Sequence, residues 1–118
     1  MKPLEAHIAQ LEEALAHMGG THTFQDVLDA IKDGQMQSFA EGNTWVVTQV
    51  LDFPRKRVLE IILVAGEMAE AEALYEKVLS FGREIGCQLV RTFGRDGWAK
   101  QAKTNGWTNG HRIFLKDL

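Results

Sequence analysis

Val58-Leu59-Glu60-Ile61-Ile62-Leu63-Val64, followed by Ala65-Gly66 and a helical pattern from about Met68 to Ile85, is the stretch on which the fold turns. It starts as a strand and becomes apolar on both faces from Ile61 to Val64, as a central strand covered on both sides must. Gly66 breaks the strand. The helix after it carries Ala71, Leu74, Tyr75, Val78, Leu79 and Phe81, and Gly86 ends it. Gln88 to Thr92 then returns to strand composition. A strand, a helix and a strand in this order predict a parallel pair joined by a right-handed crossover.

Upstream of that unit, Met36 to Ala40, Thr44 to Leu51 and Arg57 to Ala65 are rich in Val, Ile and aromatics. Glu41-Gly42-Asn43 and Asp52-Phe53-Pro54-Arg55-Lys56 separate them as turns. Connections this short predict an antiparallel meander. Trp45 lies in it as either a core residue or an exposed contact. Further upstream the period changes to 3.6. Leu4, Ile8, Leu11, Leu15 and Met18 form one apolar stripe on a helix that Gly19-Gly20 ends. Thr23 begins a second helix, with Asp26 in a capping-box position, Phe24, Val27, Leu28 and Ile31 on its buried face, and Gly34 as its stop.

Downstream, Gly94-Arg95-Asp96-Gly97-Trp98 and Asn105-Gly106-Trp107 bracket a short helix. Asp96 suits a helix start, and glycine suits the left-handed end of one. Trp98 and Trp107 are expected to seal the underside of that helix against the sheet. Arg112-Ile113-Phe114-Leu115 is expected to close the sheet as a last strand. The complete order is ααβββαβαβ, an α+β fold in a single domain spanning residues 1–118.

With 118 residues there is room for one core and no second. The apolar run Ile61 to Gly66 is far too short to span a bilayer, and the acids near Met1 do not suit a signal peptide. One cysteine, Cys87, excludes an internal disulfide and suits a reducing compartment. A soluble, cytoplasmic product is expected. Residues 1–82 carry 6 Lys/Arg against 13 Asp/Glu, and residues 83–118 carry 7 against 3. Either the basic half meets an anionic ligand, or the halves neutralise each other on packing, the plainer account. Without a Lys/Arg cluster interleaved with aromatics, nucleic-acid binding is not expected.

The element order, Ala65-Gly66 after the central strand and the ending Ala99 to Trp107 together resemble the GNAT family of acyl-CoA N-acyltransferases, over roughly residues 23–118. The Gly-Arg-x-Gly-Trp element with a downstream Gly-Trp resembles small GNAT-like proteins of tailed bacteriophages. The family's usual first strand is replaced here by the N-terminal helix of residues 1–20. The resemblance implies acetyl-CoA or another acyl-CoA as cofactor, with its pyrophosphate on backbone N–H groups where the crossover helix begins. The physical basis is the unpaired amides and the positive end of the helix dipole. On this sequence the loop is Val64, Ala65, Gly66, Glu67, Met68 and Ala69. One glycine of the family motif is present, the Arg/Gln is missing, and Glu67, Glu70 and Glu72 stand where they would repel a pyrophosphate.

The family's catalytic parts are incomplete as well. A Tyr near the leaving thiolate would fall on Ala102, which has no proton to give. Glu60 is the candidate base, or else the solvent end of the central strand. Arg95, flanked by Gly94 and Gly97 after a parallel strand, either holds a phosphate or carboxylate or pairs with an acid to fix its turn. His7, His17, His22 and His111 lack metal spacing, so no metal site is expected. Cys87 has the setting of a small buried residue.

Two functions follow from the resemblance. One is a phage-type, virion-associated GNAT-like binding or assembly module with a degenerate acyl-CoA site and without robust catalysis. In this first reading the protein lies in the cytoplasm or the virion, and protein partners or a second copy meet the N-terminal helix. The other is an acyl-CoA-dependent N-acyltransferase acting on an amine. It needs an open gap beside Val64 and free N–H groups from Gly66 to Ala69.

Overall fold

In the computed structural model the structure describes residues 8–16, 18–92, 106–108, 110 and 113–118. The elements are α1 (Ile8–Ala16), α2 (Phe24–Lys32), β1 (Met36–Glu41), β2 (Thr44–Asp52), β3 (Arg57–Ala65), α3 (Met68–Glu84) and β4 (Leu89–Thr92). They form a four-stranded sheet in the order β1-β2-β3-β4. The first three strands pair antiparallel, and β4 runs parallel to β3 after the α3 crossover.

The local signals explain the elements. Thr23 caps α2 reciprocally: its hydroxyl accepts from the Asp26 N–H at 3.1 Å, and the Asp26 carboxylate accepts from the Thr23 N–H at 2.8 Å. At the base of the β2–β3 turn, Arg57 bonds Asp52 at 2.7 Å and the Ile85 carbonyl at 2.7 Å, tying the hairpin to the end of α3.

Both faces of β3 are covered, as its composition requires. Leu11 and Leu15 of α1 and Val27 of α2 pack over Met36, Trp45, Val47, Ile62, Leu63 and Ala65. On the opposite face Leu74 and Val78 of α3 pack against Val46, Leu59 and Ile61. Trp45 is therefore core, and the apolar stripe of α1 is used inside the molecule. Ala9, Glu12, Glu13 and Ala16 form its exposed side.

Two features depart from simple periodicity. The β2–β3 register passes from Val47↔Leu63 to Thr48↔Ile61, so Ile62 is an extra residue in β3. This bulge is why Ile62 and Leu63, adjacent in sequence, both join the core on the α1/α2 side. The second departure is a correction. Ile113, Phe114 and Leu115 do not form the expected closing strand; they lie outside the sheet, 55%, 90% and 60% exposed. A strand exists only where an edge accepts it, and strand composition alone supplies no edge. Gly94 to Trp98, the short helix after them, Arg95, Ala102 and Arg112 lie outside the described residues. Trp107 is described and packs on α3, its ring 6.0 Å from that of Tyr75.

Candidate functional site

The junction between β3 and α3 is built around Gly66. Its φ of +120° suits glycine, and a Cβ there would lie 2.5 Å from the Asn43 carbonyl oxygen and 2.6 Å from Thr44 Cα. The loop can therefore press directly on the β1–β2 turn. Glu67, the N-cap of α3, makes no side-chain cap bond of its own. Thr44 instead anchors the N-cap residue itself from β2. Its hydroxyl accepts the Glu67 N–H at 2.9 Å and has the Glu67 carbonyl and Glu70 Oε1 as acceptors, each at 3.1 Å. The Glu70 carboxylate also accepts from the Asn43 N–H, at 3.0 and 3.2 Å. Thr44 is fully buried within this clasp.

The residues expected to meet a pyrophosphate are thus brought together as strand end, loop and helix start. Val64 is half-buried, Ala65 is buried, and Gly66, Glu67 and Ala69 are exposed. Among the described residues no side-chain acceptor meets the Met68 or Ala69 N–H, while the Glu67 N–H is already engaged. The helix dipole here is answered by Glu70 in the first turn.

Among the described residues, β4 pairs with β3 from Val58↔Leu89 to Ile61↔Thr92, while β3 continues to Ala65. Among the described residues, Ile62 to Ala65 therefore have no strand partner on the β4 side. The Thr92 hydroxyl donates to the Ile61 carbonyl at 3.0 Å.

Glu60 is not at a solvent end. It is 4% exposed, which corrects that expectation. Its neighbours Leu59 and Ile61 face α3, so alternation turns Glu60 to the other face of the sheet. There it sits in one row with Gln49 and Arg91, its register partners on β2 and β4. Gln49 Nε2 donates to Oε1 and Arg91 Nε to Oε2, both at 2.7 Å. The burial is tolerated because the charge is matched and both oxygens are bonded. The spacing of Glu60 in an apolar run signalled an unusual residue; nothing local pointed to Arg91, 31 residues away.

The other candidates take quieter places. Tyr75 is half-buried against Trp107, in a core-edge position. Cys87 is half-buried, and burial pushes its thiol above its ordinary value, which disfavours the thiolate. Among the described residues no three His, Cys, Asp or Glu side chains gather as metal ligands, and no helix is long and apolar enough to cross a membrane.

No protein-family model and no curated protein sequence matches the chain. Solved structures do match its fold. A Trypanosoma brucei acetyltransferase superposes with a TM-score of 0.67 at 14% identity, over 100% of this chain and 96% of that one. A probable acetyltransferase does so with a TM-score of 0.64 at 11% identity, over 98% and 90%. A Bacillus halodurans protein described as a transcriptional regulator gives 0.67 at 12%, over 80% and 75%. At such identities the likeness is one of fold: this chain has the GNAT-type acetyltransferase fold.

Proposed function

We propose that this chain is a GNAT-fold binding or assembly module with a degenerate acyl-CoA site, of the kind tailed bacteriophages encode. The observation that carries the reading is the clasp at the start of α3. Thr44 already engages the Glu67 N–H, one of the amides a pyrophosphate would need, and Glu67, Glu70 and Glu72 bring negative charge to the same loop and first turn. An anion brought to the same amides meets like charge at short range. In this reading the protein acts in the cytoplasm or the virion. Its partner, another protein or a second copy, meets the polar side of α1, because the apolar side is already buried.

A second reading, an acyl-CoA-dependent N-acyltransferase, is favoured by the bulge at Ile62, in the central strand shortly before the Gly66 loop. The thioester would lie beside the bulge, with Val64 to Ala69 orienting the cofactor. Glu60 would be the base, after release from Gln49 and Arg91. Arg95 would contribute from its loop to the anion.

Calorimetric titration with acetyl-CoA at low salt separates the two. The module reading expects no saturable heat at millimolar cofactor from the native chain. A Glu67→Gly, Glu70→Ala variant with restored binding would identify the acids as the cause. Saturable binding to the native chain, lost when Gly66 is replaced by a bulky residue, would overturn the module reading in favour of the enzyme.

A further inference from the structure

The Glu60–Arg91 pair has a second half that neither reading uses. Glu60 holds Arg91 by its Nε alone, and the Arg91 side chain remains 43% exposed. Its guanidinium carbon lies 5.1 Å from the centroid of the Phe53 ring, which is itself 46% exposed. The guanidinium is thus fixed from two directions, by a buried carboxylate and by an aromatic face. Among the described residues no acceptor meets its Nη1 and Nη2, the edge that takes a carboxylate by two parallel hydrogen bonds.

The surroundings are apolar on one side and cationic on the other. The adjacent row across the sheet is Leu51, Val58 and Leu89, in register, and Leu89 is 44% exposed. The exposed β2–β3 turn carries Arg55 and Lys56, while the nearby Asp52 is taken up by Arg57. A buried ion pair rarely stabilises a fold more than well-packed apolar residues would. Here the pair orders a half-exposed guanidinium whose Nη edge meets no acceptor among the described residues, beside exposed apolar surface. From this we infer a binding site formed by Arg91, Phe53 and Leu89, with Glu60 and Gln49 as positioning residues. Its ligand class is a carboxylate carried on an aromatic or branched apolar group. The carboxylate takes the Nη edge, and the apolar group lies on Phe53 and Leu89. The site does not require bound acyl-CoA.

The test is an NMR titration of the full chain, without acyl-CoA, following backbone amides and the Arg91 Nε–H. The probes are phenylacetate, acetate and phenethylamine. Phenylacetate is expected to give saturable shifts centred on Phe53, Leu89 and Arg91, with acetate roughly tenfold weaker because the apolar contact is missing. Phe53→Ala, a change at an exposed position, is expected to bring phenylacetate down to the acetate level. Arg91→Lys keeps the charge toward Glu60 but loses the two-donor edge, and is expected to weaken phenylacetate by roughly tenfold or more. Absence of shifts with phenylacetate would overturn the site even if Arg91→Lys proved too unstable to study. So would equal shifts with phenethylamine, which has the ring and the wrong charge, or undiminished binding by Phe53→Ala. These outcomes are separate from the acetyl-CoA titration, whose result either way leaves them unchanged.

Discussion

Gly66 shows how one residue can carry both a family resemblance and a purely mechanical duty. Its place after the central strand matches a cofactor loop, yet its positive φ and the closeness of Asn43 and Thr44 are enough to require glycine. Gly66→Ala forces a methyl group onto backbone atoms that have no rotamer to escape by. Its expected cost is about 1–3 kcal/mol in urea unfolding, from strain alone. A variant as stable as the native chain would show that the β1–β2 turn yields easily and that the clasp is loose. Glu60 makes the complementary point. Its oddity was legible as a charge within an apolar run, but its partners Gln49 and Arg91 become neighbours only through strand register.

Among the elements, α2 is the one whose sequence and structure agree most closely, because every interaction that starts it lies within a few residues. Thr23 and Asp26 cap each other across three positions, and the Thr23 bonds hold the Asp26 carboxyl below its ordinary value of 3.8. Thr23→Ala is expected to lower stability by about 1 kcal/mol. The pH dependence has a definite sign. A lowered folded-state pKa makes the Asp26 contribution complete above about pH 3.8 and lost as pH falls through the folded value beneath it. Acid unfolding of Asp26→Asn should therefore lack that part of the dependence, as circular dichroism against pH would show. The closing strand went the other way. Arg112 to Leu115 has strand composition, but composition supplies no partner, and residues 113–115 lie outside the sheet. α3 lies between these cases: its apolar face was legible from Leu74 and Val78, whereas its N-cap residue Glu67 is anchored by Thr44 on β2.

At the scale of the molecule, the sheet separates two cores that share β3. Leu11 belongs to the α1/α2 side and Leu74 to the α3 side, and both are almost wholly buried. Leu11→Ala and Leu74→Ala should each cost about 2–5 kcal/mol. Since the two side chains touch different clusters, the double variant should show the sum to within about 0.5 kcal/mol. Marked non-additivity in denaturant melts would mean that the cores communicate through β3. What the sequence determined by itself was the succession of helices and strands as far as β4, the cap of α2 and the two-sided burial of β3, all written in spacings of one to four residues. Only the tertiary structure decided the Thr44–Glu70 clasp, the Glu60–Arg91 pair and the exposed place of residues 113–115. The first two join groups 26 and 31 residues apart, and all three depend on which strand edges meet, a choice made by the packed whole.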